Sequence, residues 1–214
     1  MNARLEPCRT ETCRQQQQRE RILQAAQQCF IKHGFHAASM AGIAETAGMS
    51  AGLIYRYFEN KSAIIQAIIT QQLDERRASV AELASGHDLE QRIIELFIAW
   101  RDGSPSVMNA PLFLEIVAES SRDAVIGKAF DESDAATRDA FTAWLSQLAA
   151  RRQQPTGDQA LRVRSIAIQA FIEGLAIRAV REPDIDLDTV RRAVGSVLAH
   201  LIDAPAAETE SSSA

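Results

Sequence analysis

The side chains best suited to chemistry are concentrated between Ser50 and Lys61, SAGLIYRYFENK. The hydroxyls of Ser50, Tyr55 and Tyr57, the Arg56 guanidinium and the Lys61 ammonium are hydrogen-bond donors for phosphate oxygens and base edges. They do not make an acid–base or nucleophile set. Arg56 is the strongest guanine reader by chemistry, unless its helical phase turns it towards the neighbouring phosphate backbone. Tyr55 and Tyr57 suit phosphates or sugar faces better than base edges. Ala51 and Gly52 are small enough to let two backbones approach, and Ala51 or Leu53 can touch a thymine methyl. The competing reading makes the tyrosines core aromatics, as Phe58 is expected to be. Two tyrosines two positions apart cannot share one helical face, so at least one is expected at the surface.

A narrow, rigid element must present these groups, and the pattern supplies one. Met40, Ile43 and Ala44 form a short apolar stripe at helical spacing, Ala47-Gly48-Met49 breaks it, and Leu53, Ile54 and Phe58 form a second. Ser39 and Ser50 are placed as N-caps, and Gly48 provides the backbone freedom of a sharp corner. The Ser39 hydroxyl is equally suited to a phosphate. Helix, glycine turn and polar-tipped helix make a helix-turn-helix, whose second helix enters a DNA major groove. Asn60 caps the next helix, and Lys61 at its N-terminus reads as a phosphate clamp. The preceding helix is expected from about 16 to 32, ended by Gly34 as a left-handed cap with Phe35 folding back on Phe30.

The stretches RILQAAQQCFIKHGF (21–35) and ASMAGIAETAGMSAGLIYRYFENKSAIIQA (38–67) together resemble the DNA-binding domain of TetR-family transcriptional regulators. The resemblance covers under a third of the chain. It implies that the positions of Ala51, Leu53, Tyr55 and Tyr57 face DNA, and it supports the Lys61 clamp. The full set expected at DNA is Ser39, Met40, Ser50, Ala51, Gly52, Leu53, Tyr55, Arg56, Tyr57 and Lys61.

Composition agrees with a DNA reader joined to something else. The 214 residues are 46% hydrophobic and 24% charged, as in an ordinary globular protein. No apolar run reaches the roughly 18–20 residues of a membrane span, and the polar N-terminus does not read as a secretory signal, so a cytoplasmic location is expected. The net charge of −5 is uneven: residues 1–61 carry 8 basic against 5 acidic groups, the remainder 15 against 23. The basic end holds the helix-turn-helix. Arg4, Arg9 and Arg14 lie in an N-terminal tail (1–15) that reads as a solvated segment or an accessory DNA arm. Cys8 and Cys13 read as reduced thiols of unassigned role, and Cys29 as a small apolar core residue. No phosphate-binding glycine loop, catalytic triad or metal-ligand set is present, and His33, His36, His87 and His200 are scattered. Neither an enzyme nor a resident metal or cofactor is expected.

Beyond residue 62 every segment has helical spacing. A fourth helix (62–84) links the DNA-reading domain (16–61) to a larger helical domain (62–204), and a polar tail (205–214) follows. Further helices are expected at about 88–102, 109–121, 123–152 (with a break near 131–134), 158–182 and 187–203. The last two carry more apolar surface than one face can hide, which suggests a subunit interface. Its candidates are Ala167, Ala170, Gly174, Ile177, Val194, Val197, Leu198 and Leu201. The TetR resemblance implies that these helices pair with their copies as a four-helix bundle, and that the larger domain encloses a small-molecule cavity. Candidate lining residues are Phe97, Trp100, Met108, Phe113, Phe141, Trp144, Phe171 and Glu173; the alternative for each aromatic is plain core.

The expectation is therefore an all-α chain with an N-terminal three-helix DNA-binding domain and a C-terminal helical ligand-binding and dimerisation domain. It would act as a homodimeric repressor on a double-stranded, near-palindromic operator, with half-sites roughly 34–36 Å apart, released by a small-molecule effector. The rival is a constitutive DNA-binding or protein-interaction regulator without a ligand. A cavity of several hundred Å³ would favour the sensor and a closed core the rival.

Overall fold

The computed structural model describes residues 11–83, 85–104, 109–154 and 156–203, and among these every regular element is helical. In chain order they are α1 (Glu11–Ala37), α2 (Met40–Ala47), α3 (Ala51–Tyr57), α4 (Lys61–Ala81), α5 (Gly86–Arg101), α6 (Ala110–Ser120), α7 (Ala124–Arg151), α8 (Asp158–Arg181) and α9 (Leu187–Leu198), closed by a π-helical turn at Ala199–Asp203. The all-α architecture matches the sequence pattern. Arg4, Cys8, Arg9, Met108 and the tail 205–214 lie outside the described residues.

Two departures have local causes. The first helix starts at Glu11, not near 16, because its polar opening is rich in glutamine, glutamate and arginine, all good helix formers. No break interrupts α7 near 131–134; instead Asp134 pairs with Arg138 one turn on, at 3.0 Å. Cys13 is disulfide-bonded where a reduced thiol was expected.

The chain divides into two compact units. The first comprises residues up to Thr70 together with Glu115–Phe130. Its core includes Ile22, Phe30, Ile43, Ile54, Ile64 and Ile126, each at most 1% exposed. Gly34 breaks α1 at φ 74°, ψ 163°. The positive φ was anticipated, but the ψ lies far from the left-handed helical value, in a region essentially confined to glycine. Phe35 does turn back on Phe30, with ring centroids 5.5 Å apart. Between α2 and α3, Gly48 adopts the left-handed helical conformation (φ 61°, ψ 40°) and its N–H closes the end of α2.

The second unit comprises Gln71–Leu114 and the residues from Asp131 onward. Phe97, Ile93, Ile168 and Val194 are at its centre, all fully buried. Asp186 caps α9 by accepting the Thr189 N–H at 2.9 Å, and α9 then buries Val190, Val194 and Leu198, one every turn. The helices α4, α6 and α7 each contribute residues to both units. The sequence pattern placed 115–130 with the larger domain; the structure groups this stretch with the DNA-reading helices, because Glu115 and Glu119 of α6 bond to the end of α1.

Candidate nucleic-acid interface and ligand cavity

The DNA-facing candidates are assembled by two capped helices. Ser39 Oγ accepts the Gly42 N–H at 3.0 Å and Ser50 Oγ accepts the Leu53 N–H at 3.3 Å. Each hydroxyl thus satisfies one of the free N–H groups of a helix start, and both serines remain exposed. On α3, Ile54 is fully buried and Phe58 nearly so, which fixes the phase of the helix. Ala51, Gly52 and Arg56 are exposed, Leu53 and Tyr57 half-buried, and Tyr55 is 56% exposed. A Cβ on Gly52 would meet nothing within 4 Å, so the tip of α3 is open. Arg19 stacks its guanidinium over the Phe58 ring at 4.6 Å, and Arg14 is exposed on the first turns of α1.

Two of the expected DNA contacts are corrected. Met40, the first residue of α2, is buried at 9% exposure and packs into the core. Lys61 is not a free clamp: its ammonium donates to the carbonyls of Phe35 (2.8 Å), His36 (3.2 Å) and Ala38 (2.8 Å), and it lies 4.7 Å from the centre of the Phe35 ring. An ammonium has three N–H donors, and all of them serve the chain corner that follows the Gly34 break. Sequence spacing placed Lys61 at a helix N-terminus but could not reveal these acceptors, 23 to 26 residues upstream.

The start of α4 is anchored in the same unit. Ser62 donates to Asp123 Oδ2 at 2.7 Å, while Asp123 Oδ1 accepts the N–H groups of Val125 and Ile126 at the start of α7. The Ser62 hydroxyl, then the backbone N–H groups, hold the Asp123 carboxyl below its ordinary value.

In the second unit a cavity of about 150 Å³ opens between α4, α5, α7 and α8. Of the expected lining residues, Trp100, Phe113, Phe141 and Glu173 do line it. Phe97 and Trp144 are core instead, Phe97 fully buried and Trp144 with its indole N–H donated to the Leu83 carbonyl at 3.2 Å. Phe171 packs against that core and not on the cavity. The polar lining that sequence reasoning missed includes Gln72, Arg76, Thr137 and Gln169, with Glu75, Ser79 and Arg92. Nothing in the helical spacing singles out Arg76; the packing of α4 against its neighbours brings it to the cavity.

Burial, first, and the negative charge of Asp134, second, raise the Glu173 carboxyl above its ordinary value, while Arg76, Gln169 and Arg138 pull it back. Burial likewise lowers the Arg76 guanidinium, with Glu173, Asp134 and Glu75 opposing. On α8 the expected interface residues Ala170, Gly174 and Ile177 are exposed and Ala167 partly so. On α9, Val197 is half-buried, as is Leu201 in the turn that follows it. Val194 and Leu198 belong to the core, at 0% and 3% exposure, because that face of α9 is its inner one.

Among the described residues no helix is long and apolar enough to cross a membrane. Residues 22–68 match the profile of bacterial regulatory proteins of the tetR family, and residues 91–203 match the C-terminal domain of BetI-type transcriptional repressors. The transcriptional regulator UidR of Escherichia coli (strain K12) is 34% identical over 105 residues, 49% of this chain and 53% of that protein, so the match spans about half the length of this relative. The structure of Salmonella enterica GusR superposes with a TM-score of 0.74 at 24% identity, covering 92% of this chain and 99% of that one. FadR from Bacillus subtilis in complex with stearoyl-CoA superposes with a TM-score of 0.64 at 20% identity over 86% of this chain and 97% of that one. At these identities the structural likeness concerns the fold alone. With an N-terminal helix-turn-helix and a C-terminal profile that alone spans just over half of its length, the chain belongs to the TetR family of DNA-binding transcriptional regulators.

Proposed function

We propose that the protein is a homodimeric repressor that reads its operator with α3 and is released by a small molecule held in the second unit. The DNA-reading set under this proposal is Ser39, Ser50, Ala51, Gly52, Leu53, Tyr55, Arg56 and Tyr57. The observation that carries it is the open, exposed tip of α3 on a helix whose opposite face is locked by Ile54 and Phe58.

Dimerisation is supported by α8. Val163, Ile166, Ala170, Gly174 and Ile177 recur at helical spacing on its outer side, and Val163, Ile166 and Ile177 are 56%, 51% and 37% exposed. Such a continuous apolar stripe with small residues at its middle suits a second copy of the same helix.

Ligand release is supported by the cavity and by the chain path. Phe113 lines the cavity, and Glu115, two residues on in α6, holds the end of α1. A ligand that favours one position of α6 would thereby bias the DNA-reading unit; a coupling of about 1–3 kcal/mol, roughly 5–150-fold in affinity, makes a usable switch. FadR from Bacillus subtilis, a regulator of similar fold, was solved in complex with stearoyl-CoA. Here the space of about 150 Å³ is on the scale of a single aromatic ring and does not suit a long acyl chain. That same small volume, below the roughly 300–1,000 Å³ usual for ligand sites, favours the second reading, a regulator without a ligand.

Fluorescence anisotropy with DNA flanking the coding region, at two salt concentrations, tests the proposal. Tight, salt-sensitive binding weakened by Tyr55→Ala and Arg56→Ala supports it. Binding that is weak on every sequence and indifferent to both changes would sink it. Sedimentation of Gly174→Glu, expected as a monomer, tests the interface.

A further inference from the structure

Two guanidiniums line the second-unit cavity, Arg76 and Arg92, and neither charge can be removed by titration. Arg76 enters from α4, and a guanidinium stays protonated at any physiological pH. Among the described residues no carboxylate or carbonyl lies within ion-pair or hydrogen-bond distance of it, although Glu173, Asp134 and Glu75 act on it from further away. The remaining charges around the cavity have partners. Arg92 donates to Ser79 at 2.9 Å and pairs with Glu95 at 3.4 Å. Glu75 accepts from Gln71 at 3.1 Å. Asp134 holds Arg138 at 3.0 Å and also accepts the Gln169 amide N–H. Gln169 lines the cavity, and its Oε1 is left buried with no donor, in a residue only 8% exposed.

A half-buried cation without a direct counter-ion and a buried acceptor without a donor are both costly in a largely apolar space. One ligand relieves both. We infer that the effector is a compact, largely apolar carboxylate carrying one hydrogen-bond donor, its anionic oxygens held by Arg76 and its donor by Gln169, against Trp100, Phe113 and Phe141. A bidentate guanidinium–carboxylate pair fits this role better than a lone ammonium would. The obvious competitor is a cationic ligand paired with Glu173. It is disfavoured because Glu173 can give up its charge by taking a proton, whereas Arg76 would face a second cation in a space of about 150 Å³.

This inference rests on the ligand-responsive reading above, and the experiment separates the two. Phenol and three para-substituted phenols of similar shape, 4-hydroxybenzoate, 4-hydroxybenzamide and 4-hydroxybenzylamine, are titrated calorimetrically into the full chain. The carboxylate is expected to bind at least about tenfold more tightly than the amide, the gain of one charge-assisted contact, and the amine most weakly. In Arg76→Met the carboxylate preference should vanish while phenol still binds, which shows that the cavity survives. Should that variant lose phenol as well, Arg76→Lys decides: a retained carboxylate preference supports the inference and a lost one overturns it. An amide or amine that binds the native protein as tightly as the carboxylate overturns the anionic effector but leaves a ligand-binding regulator standing. If none of the four binds, the cavity is not a ligand site and both readings fall; a carboxylate that binds where phenol does not supports the inference.

Discussion

Glu115 Oε2 accepts the backbone N–H of Phe35 at 3.1 Å, across 80 residues of chain. Phe35 directly follows the Gly34 break, where the N–H groups lose their helical acceptors. One turn further along α6, the buried Glu119 meets His36 Nε2 at 3.2 Å and Arg122 at 3.7 Å. Two carboxylates of one helix therefore fasten the same corner. Glu115→Ala is expected to cost about 1–3 kcal/mol in urea unfolding, because a part-buried N–H loses its acceptor. Glu115→Gln, which keeps an acceptor oxygen, should cost clearly less. Equal losses would mean that the contact contributes charge and not a hydrogen bond.

The glycines of the helix-turn-helix should respond in opposite ways to alanine. Gly48 sits at φ 61°, and an added Cβ would approach Arg21 Nη2 to 2.8 Å. The Arg21 tip can move but the backbone angle cannot, so Gly48→Ala is expected to lose about 1–2 kcal/mol of stability. Gly52 is helical with open space beyond it, so Gly52→Ala should gain about 0.5–1 kcal/mol. The same methyl would stand where α3 meets the groove, and operator affinity should fall although stability rises. A Gly52→Ala protein with unchanged affinity on anisotropy would remove the tip of α3 from the interface.

The helix-turn-helix was legible because its signals are local: two serine caps, a left-handed glycine and two short apolar stripes. Helix identities in the larger unit followed from spacing for the same reason. What spacing could not give was the direction in which each side chain points once helices pack. Val194 and Leu198 look like interface residues until α5 covers that face of α9. Phe97 and Trp100 sit three apart on α5, yet one is core and the other lines the cavity. Arg76 and Gln169, 93 positions apart by their numbers, become neighbours of one cavity only through tertiary contact.

Lys61 distinguishes a structural lysine from a phosphate clamp. With its ammonium on three carbonyls, Lys61→Met should lose about 2 kcal/mol or more of stability, because hydrogen bonds from a charged donor are removed together. A lysine that neutralises a phosphate also adds to the slope of log affinity against log salt, by nearly one unit. The expectation here is a weaker operator complex, through a disturbed corner, with the slope unchanged. A slope reduced by about one would restore the lysine to the DNA contacts.

Glu173 sets a pH dependence whose sign is fixed by its raised value. The folded protein holds the Glu173 proton more tightly than the unfolded chain does, so between the ordinary carboxyl value of 4.5 and the raised one the folded state binds more protons. Its contribution to stability is therefore complete below about pH 4.5 and is lost as pH rises through the folded value. Groups acting on it are Asp134, which raises its value, and Arg76 and Arg138, which lower it, with Gln169 as a hydrogen-bond partner. Glu173→Gln keeps the shape and removes the titration. In urea unfolding from pH 4.5 to 7.5, the variant should gain stability relative to the native chain as pH rises. A difference that is flat, or that shrinks with rising pH, would show that Glu173 stays charged in the cavity, paired with Arg76 after all.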